Sequence, residues 1–388
     1  MKTGPLSGLK VVELVGIGPG PMCGMLLADL GAEVLRVDRL APSGLGTERP
    51  PRFDLLSRGK RSIAVDLKHE AGIAFTRRLV GLGDALIEGF RPTTMERLGL
   101  GPDVCLAAQP KLVYGRVTGF GQSGPMAGAA GHDLNYIALA GALHAIGRAG
   151  APPTPPLNLV GDFGGGGLLL AFGMLAALWN VQRGGSGQVV DAAMIDGAAM
   201  LMTSMYGMLG SGRHVGARGT NLLDSGAPHY EVYRCADGEY VSVAPIEPKF
   251  RAVLIERLGL AGDAIDFDDS ARWPDSKARL AAVFATRTRA QWCEVLEGSD
   301  ACFAPVLSPM EAPDHPHHRA RDTFIEVDGV LQPGVAPRFS ATPTSLPRAP
   351  HTDDASVLDR ICEWGIARQD IDDLVRGRVM RAGAAQAG

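Results

Sequence analysis

Two short segments carry side chains suited to moving a proton. The first is Gly131-His132-Asp133-Leu134-Asn135-Tyr136, where a glycine precedes a histidine at the start of a helical pattern. Asp133 is placed to cap that helix, and its backbone N–H is among the first-turn donors that lack an intrahelical acceptor. Such donors form an oxyanion site. The alternative is a histidine satisfied by its neighbours. The second segment is Gly161-Asp162-Phe163 followed by Gly164 to Gly167, which puts a carboxylate on a loop that a ligand can approach closely. Here the alternative is an aspartate capping a helix that begins at Leu168. A histidine and a carboxylate on separate loops have the chemistry of two opposed acid–base groups.

Other candidate groups are weaker. Gly16-Ile17-Gly18 after an apolar run, with Asp38 at the end of the next strand, partly matches a dinucleotide-binding turn. Pro21 occupies the place of its third glycine, and a structural turn is the competing reading. Arg58, Lys60 and Arg61 form a basic cluster, followed by Asp66 and Lys68, then Glu88-Gly89-Phe90-Arg91-Pro92 and Arg97. Near the strand ends of a parallel sheet such groups hold a polyphosphate; elsewhere they are a solvated face. Asp314-His315-Pro316-His317-His318 reads as a surface loop rather than a metal site. Met194, Met200, Met202, Met205 and Met208 are either helix packing or an adaptable surface for acyl chains.

The elements that must position these groups follow from the apolar pattern. Leu9–Leu14, a helix over Pro21–Leu30 and a strand over Glu33–Val37 form a β-turn-α-β unit. Further strands are predicted at Ser62–Asp66, Ala85–Glu88 and Leu112–Val117, with a helix at Glu70–Leu82. Long helices are predicted at Leu134–Ile146, Leu168–Gln182 and Ala192–Leu209. The alternation predicts an α/β fold with a mostly parallel, Rossmann-like sheet. From Tyr230 to Val243 the pattern changes to a hairpin, turning at Ala236-Asp237-Gly238. Helices near Lys249–Leu258 and Arg289–Leu296 follow, and a final helical region covers Ala355–Arg376. The expected organisation is a large domain, 1–210 with 330–388, and a smaller α+β domain at 225–325. Linkers are expected at 211–224 and 326–345, and a loose tail at Ala382–Gly388.

Composition narrows the function. Across 388 residues, 38 Lys and Arg oppose 42 Asp and Glu for a net charge of -4, which gives no global attraction to nucleic acid or an anionic membrane. Hydrophobic residues at 46% and charged residues at 21% are globular proportions. The most apolar stretch, Leu168–Trp179, is shorter than the roughly 20 residues a bilayer requires and reads as a buried helix. Cys23, Cys105, Cys235, Cys293, Cys302 and Cys362 are scattered, as expected of reduced thiols. The first ten residues lack a signal-peptide pattern and the last four are no targeting tail, so the expected location is cytoplasmic.

Several motifs then act together. They are Val11-Val12-Glu13-Leu14, Val37-Asp38-Arg39, Arg58-Gly59-Lys60-Arg61, Gly119-Phe120-Gly121-Gln122-Ser123-Gly124-Pro125, the Gly131–Tyr136 hexapeptide and Pro156-Leu157-Asn158-Leu159 leading to Gly161-Asp162-Phe163. In the second half Ala227-Pro228, Tyr230, Asp237-Gly238 and Ile246-Glu247-Pro248 continue the match. From end to end the chain resembles the α-methylacyl-CoA racemases of the family III CoA-transferase (CaiB/BaiF) superfamily, and the hexapeptide belongs to the racemase branch.

That resemblance implies that His132 and Asp162 are the two proton-transfer groups and that Glu247 supports the histidine. It implies an interlocked homodimer in which Glu247 comes from the other chain. It carries CoA contacts to Arg39, to Val65, Asp66, Leu67 and Lys68, and further to Phe90, Arg91, Arg97, Gly131 and Tyr136. The implied reaction inverts the α-carbon of a 2-methyl-branched acyl-CoA through an enolate held by the Asp133 backbone N–H. The CoA is part of the substrate, and no metal, flavin or nicotinamide is expected. The rival is a family III CoA-transferase, in which Asp162 would attack the thioester to form an aspartyl anhydride. Such enzymes usually lack the histidine and carry a glycine-rich loop where this chain has Asp224-Ser225-Gly226-Ala227-Pro228. A non-catalytic CoA-binding protein is the third reading.

Overall fold

The computed structural model describes residues 3–41, 44, 46, 49–214, 216–261, 265–350 and 356–383. They form two compact units, one of Met1–Ala140, Leu157–Leu201 and Asp322–Gly388, the other of Gly141–Pro156 and Met202–Arg321. The stretch 326–345, expected as a linker, begins with most of a hairpin, Phe324–Val327 against Val330–Pro333. Of the expected tail, Ala382 ends a strand and residues 384–388 lie outside the described residues, as does Ala355.

The first unit is built on a parallel sheet of β1 (Lys10–Leu14), β2 (Glu33–Asp38), β3 (Arg61–Val65), β4 (Ala85–Glu88), β5 (Val113–Thr118) and β6 (Gln188–Ala193). Their order is β3-β2-β1-β4-β5-β6, and the strand Met380–Ala382 adds antiparallel to the outer edge of β3. Helices α1 (Pro19–Asp29) and α2 (Glu70–Gly81) make the crossovers. In β1, Val11 packs with Cys23 and Leu27 of α1, whereas Val12 packs with Phe75 and Leu79 of α2. Both faces are covered, which is why the strands read as continuous apolar runs. The order reverses between β1 and β4, and the chain leaves a crevice at their carboxyl ends.

Two members of the expected basic cluster are not at that crevice. The Arg58 guanidinium pairs with Asp29 at 2.6 Å, and the Lys60 ammonium lies 2.5 Å from Glu13, all four buried. Each charge is matched inside the fold because an unpaired buried ion is costly.

Several helices differ from the sequence expectation. The helix begun at Asp133 stops at Leu139, because Gly141 takes φ +83° before a separate turn at Ala142–Ala145. We label Asp133–Leu139 α3. The expected Ala192–Leu209 helix is the end of β6, then α4 (Met194–Leu201), then a further helix at Thr203–Gly210. The final helical region is Ser356–Trp364 and Arg368–Arg376, parted by Gly365 at φ +113°.

The largest difference concerns Asp162 and its glycines. Leu159–Leu168 is wound as a wide π-helix that continues into the α-helix Leu169–Gln182. Asp162 therefore lies inside a helix, neither on a loop nor capping one at Leu168. The glycines serve close packing. A Cβ on Gly197 of α4 would stand 1.9 Å from the Gly165 carbonyl oxygen, and one on Gly167 would stand 2.7 Å from Met22 of α1. The continuous helix Leu159–Gln182 has 24 residues and holds an 18-residue window of mean hydropathy 1.6, so by length and composition alone it meets the requirement for crossing a membrane. The shorter apolar run in the sequence understated it. It is not a buried helix either: Leu168, Phe172 and Trp179, at 50%, 72% and 65% exposure, leave one stripe uncovered.

The second unit has a three-stranded antiparallel sheet, Glu231–Arg234, Tyr240–Val243 and Phe303–Pro305. The hairpin turns at Gly238, φ +88°, and helices Pro248–Arg257, Trp273–Phe284 and Arg289–Leu296 cover a core around Tyr233, Phe284 and Trp292.

Because Gly197 meets backbone, Gly197→Ala is expected to destabilise the protein by about 1–3 kcal/mol in urea denaturation, the usual cost of overpacking. Gly207→Ala, at a helical position with open space beside it, is expected to be neutral or stabilising by up to about 1 kcal/mol. Equal effects at the two positions would show that the helix crossing is not tight.

Candidate active site

At the crevice beside β1 and β4 lies a cavity of about 550 Å³. It is bordered by the Gly16–Pro21 turn, by Gly89–Pro92 after β4, by Val117–Phe120 at the end of β5, and by His132, Tyr136 and Asp162. The geometry brings together the histidine and the carboxylate that the sequence singled out.

His132 caps α3 in an extended conformation, and its N–H donates to Oδ1 of Asn135 at 3.1 Å. The imidazole is exposed to the cavity. Asp133 is buried, and its Oδ1 accepts the backbone N–H of Asp162 at 2.7 Å. Asp162 sits in the first turn of its helix, where N–H groups need acceptors, so Asp133 caps that turn from outside. Its own N–H begins α3 and has no intrahelical acceptor. The second oxygen of Asp133, Oδ2, is buried without a hydrogen-bond partner among the described residues. The Tyr136 hydroxyl donates to the Gly131 carbonyl, and its ring meets Phe120 edge-on at 4.9 Å.

The Asp162 side chain is half-buried. Its Oδ2 accepts from Nδ2 of Asn158 at 3.1 Å. A Cβ placed on Gly18 would come 3.1 Å from that same oxygen. Burial pushes the Asp162 carboxyl above its ordinary value, with the Asp133 charge adding to the rise; the Asn158 bond and His132 oppose it. A carboxyl tuned upward in a cleft is suited to carrying a proton.

Gly131, Tyr136, Phe90 and Arg91 border the same cavity. Arg39, Asp66, Leu67, Lys68 and Arg97 do not, although Arg39 and Asp66–Lys68 follow β2 and β3 on the same carboxyl edge of the sheet. The Val65 side chain belongs to the core, and the residue is buried. Asp66 accepts the Lys68 N–H at 2.9 Å, and the Arg97 guanidinium donates to Thr94. Glu247 is exposed and caps the helix Pro248–Arg257 in the other unit. Of the methionines, Met194 borders the cavity. Asn158, which donates to the Asp162 carboxyl, has no signal in the sequence beyond its place in the Pro156–Leu159 motif.

The dinucleotide reading fails on geometry. Asp38 is held by Arg36 at 2.7 Å, and Pro19 and Pro21 remove two first-turn N–H donors that a pyrophosphate needs. Among the described residues no group of three or more His, Cys, Asp or Glu could hold a metal, and the cysteines are free. His315 caps the short helix Pro316–Ala320 and pairs with Glu297 at 2.8 Å.

A sequence model described as CoA-transferase family III matches residues 6–354. An alpha-methylacyl-CoA racemase of Mus musculus is 45% identical over 382 residues, 97% of this chain and 98% of the relative. The alpha-methylacyl-CoA racemase of Homo sapiens is 43% identical over 395 residues, 98% and 99% of the two chains. The crystal structure of a CAIB/BAIF family protein from Brucella suis superposes with a TM-score of 0.78 at 27% identity, covering 93% of this chain and all of that one (100%).

Replacing Asp133 by Asn keeps an oxygen that can accept the Asp162 N–H and deletes a charge that raises the Asp162 carboxyl. Asp133→Asn is therefore expected to move the Asp162 titration down toward the ordinary 3.8, followed by carboxyl-carbon NMR. A titration that stays put or rises would contradict the coupling.

Proposed function

The chain belongs to CoA-transferase family III, and we propose that it acts as an α-methylacyl-CoA racemase, an isomerase inverting the α-carbon of 2-methyl-branched acyl-CoA thioesters. The observation that carries this reading is the shared cavity of His132 and Asp162. The thioester carbonyl acidifies the α-hydrogen, and one of the two groups removes it. The other returns a proton to the opposite face, so the configuration inverts. The Asp133 N–H donates to the enolate oxygen, an interaction of the kind whose removal costs about 3–4 kcal/mol. Asn158 and the turn at Gly18 hold the carboxyl of Asp162 in place.

Arg91 at the mouth of the cavity suits a phosphate of CoA, with Arg39 and the Asp66–Lys68 segment along the same sheet edge as its further contacts. The reading needs no cofactor beyond the CoA of the substrate. Against the transferase reading stands the imidazole itself, for which an aspartyl anhydride mechanism has no use.

We further propose a homodimer in which Glu247 of one chain supports His132 of the other. The exposed stripe of Leu168, Phe172 and Trp179 supports an apolar contact between copies. A lipid span is disfavoured because the same helix packs through Gly165 and Gly167 and begins with Asp162 in the cavity.

A single 2-methylacyl-CoA enantiomer incubated in deuterated water is expected to epimerise with α-deuterium uptake and with no acceptor acid. His132→Ala and Asp162→Ala should each lower the rate by about 10²–10⁴-fold. Absence of exchange, or an acyl adduct on Asp162 with transfer to a second acid, would overturn the racemase reading. Co-refolding the inactive variants His132→Ala and Glu247→Ala should restore activity, because one site of the mixed dimer keeps both residues. No recovery would argue against a shared site.

A further inference from the structure

We propose that Lys60, held by Glu13, is a positioning residue for the proton-transfer site: it grips the Pro21 carbonyl from behind the cavity wall and fixes the first turn of α1 against Asp162. The Lys60 Nζ lies 2.5 Å from Oε2 of Glu13 and donates to the Pro21 carbonyl at 2.9 Å. The two side chains are 1% and 0% exposed, so neither reaches substrate. The gripped turn is the cavity wall that faces Asp162, with Gly18 at its tip.

Within that turn the Met22 N–H donates to the Gly18 carbonyl at 3.1 Å, and two of the usual first-turn donors are missing. Gly18, at φ +66°, has no side chain to cap the helix. Pro19 and Pro21 carry no N–H. An outside donor to the Pro21 carbonyl adds a restraint that the turn's own residues do not supply.

Stability alone does not account for the pair. Apolar residues of similar volume often serve as well as a buried ion pair or better. Burial works against both charges here, pushing the Glu13 carboxyl up and the Lys60 ammonium down. The second Glu13 oxygen, Oε1, is buried without a partner among the described residues. Gly24 makes room for the pair, since a Cβ there would stand 1.8 Å from Oε2 of Glu13. What two apolar side chains cannot provide is a directed donor to one carbonyl.

The consequence for rate rests on the racemase reading; the clamp itself does not. The test is the double variant Glu13→Leu/Lys60→Met, which leaves no uncompensated charge, compared with the unaltered chain. The backbone amides of Met22 and Cys23 are expected to exchange with deuterated water about tenfold faster or more, as a loosened turn frays. Turnover for α-deuterium uptake should fall about tenfold or more with KM nearly unchanged, the mark of lost transition-state geometry. The limb of the pH–rate profile that reports Asp162 should move down, because water would reach a carboxyl that desolvation holds up.

Unchanged amide exchange overturns the clamp whether or not the enzyme epimerises anything. Loosened amides with full turnover and an unmoved limb overturn the positioning role. If the unaltered chain takes up no α-deuterium, the racemase reading falls and amide exchange alone decides the clamp. If the double variant does not fold, the unaltered chain decides: Met22 and Cys23 should exchange as slowly as mid-helix amides of α1, and rapid fraying there overturns the proposal.

Discussion

The hydrogen bond from the Asp162 N–H to Oδ1 of Asp133, 2.7 Å long, joins the two pieces of chain that carry His132 and Asp162, the groups proposed to move the proton. His132 precedes the acceptor and Asp162 is the donor, so one bond ties together the backbone of the two residues that border the cavity. It is partly buried, where such a bond is stronger than in open water. It also dictates its neighbours. Gly161 bears no side chain because a Cβ there would stand 2.5 Å from Oδ1 of Asp133. The helix carrying Asp162 begins in a wide winding, a form concentrated at functional sites.

The packing around this bond follows from the need to bring three helices near one point. Gly165 lies on Gly197 of α4, Gly166 approaches Pro19, and Gly167 approaches Met22. With larger residues the π-helix would stand further from α1, and Gly18 would no longer approach the Asp162 carboxyl. The glycine run is thus a feature of interhelical distance. Its cost in backbone entropy is offset by the precision with which one carboxyl is placed.

Much of the architecture was legible because strands covered on both faces announce themselves as apolar runs. The units β1-α1-β2 and β3-α2-β4 follow from that pattern and from turn glycines. The histidine was legible as the start of a helix, and its partnership with Asp162 came from the resemblance more than from spacing. What escaped had identifiable causes. Four glycines in a row read as loop, since nothing local reveals that two neighbouring helices require their small size. Arg58 and Lys60 read as solvated because their partners, Asp29 and Glu13, lie far away in sequence. The edge strand β6 ends in Ala192-Ala193, which suit a helix equally well, and Met380–Ala382 is too short to show a period. Glu247 belongs to the other compact unit, and the role proposed for it rests on the resemblance alone.

The strand Met380–Ala382 seals β3, and it lies more than 300 positions downstream of the strand it covers. On the ribosome, therefore, the sheet must wait with one flank open while the whole of 202–321 emerges. The unit that holds the cavity of His132 and Asp162 is interrupted by that insertion. Its maturation depends on a late-arriving piece of backbone, and such order of synthesis favours chaperone protection of an exposed strand margin during translation.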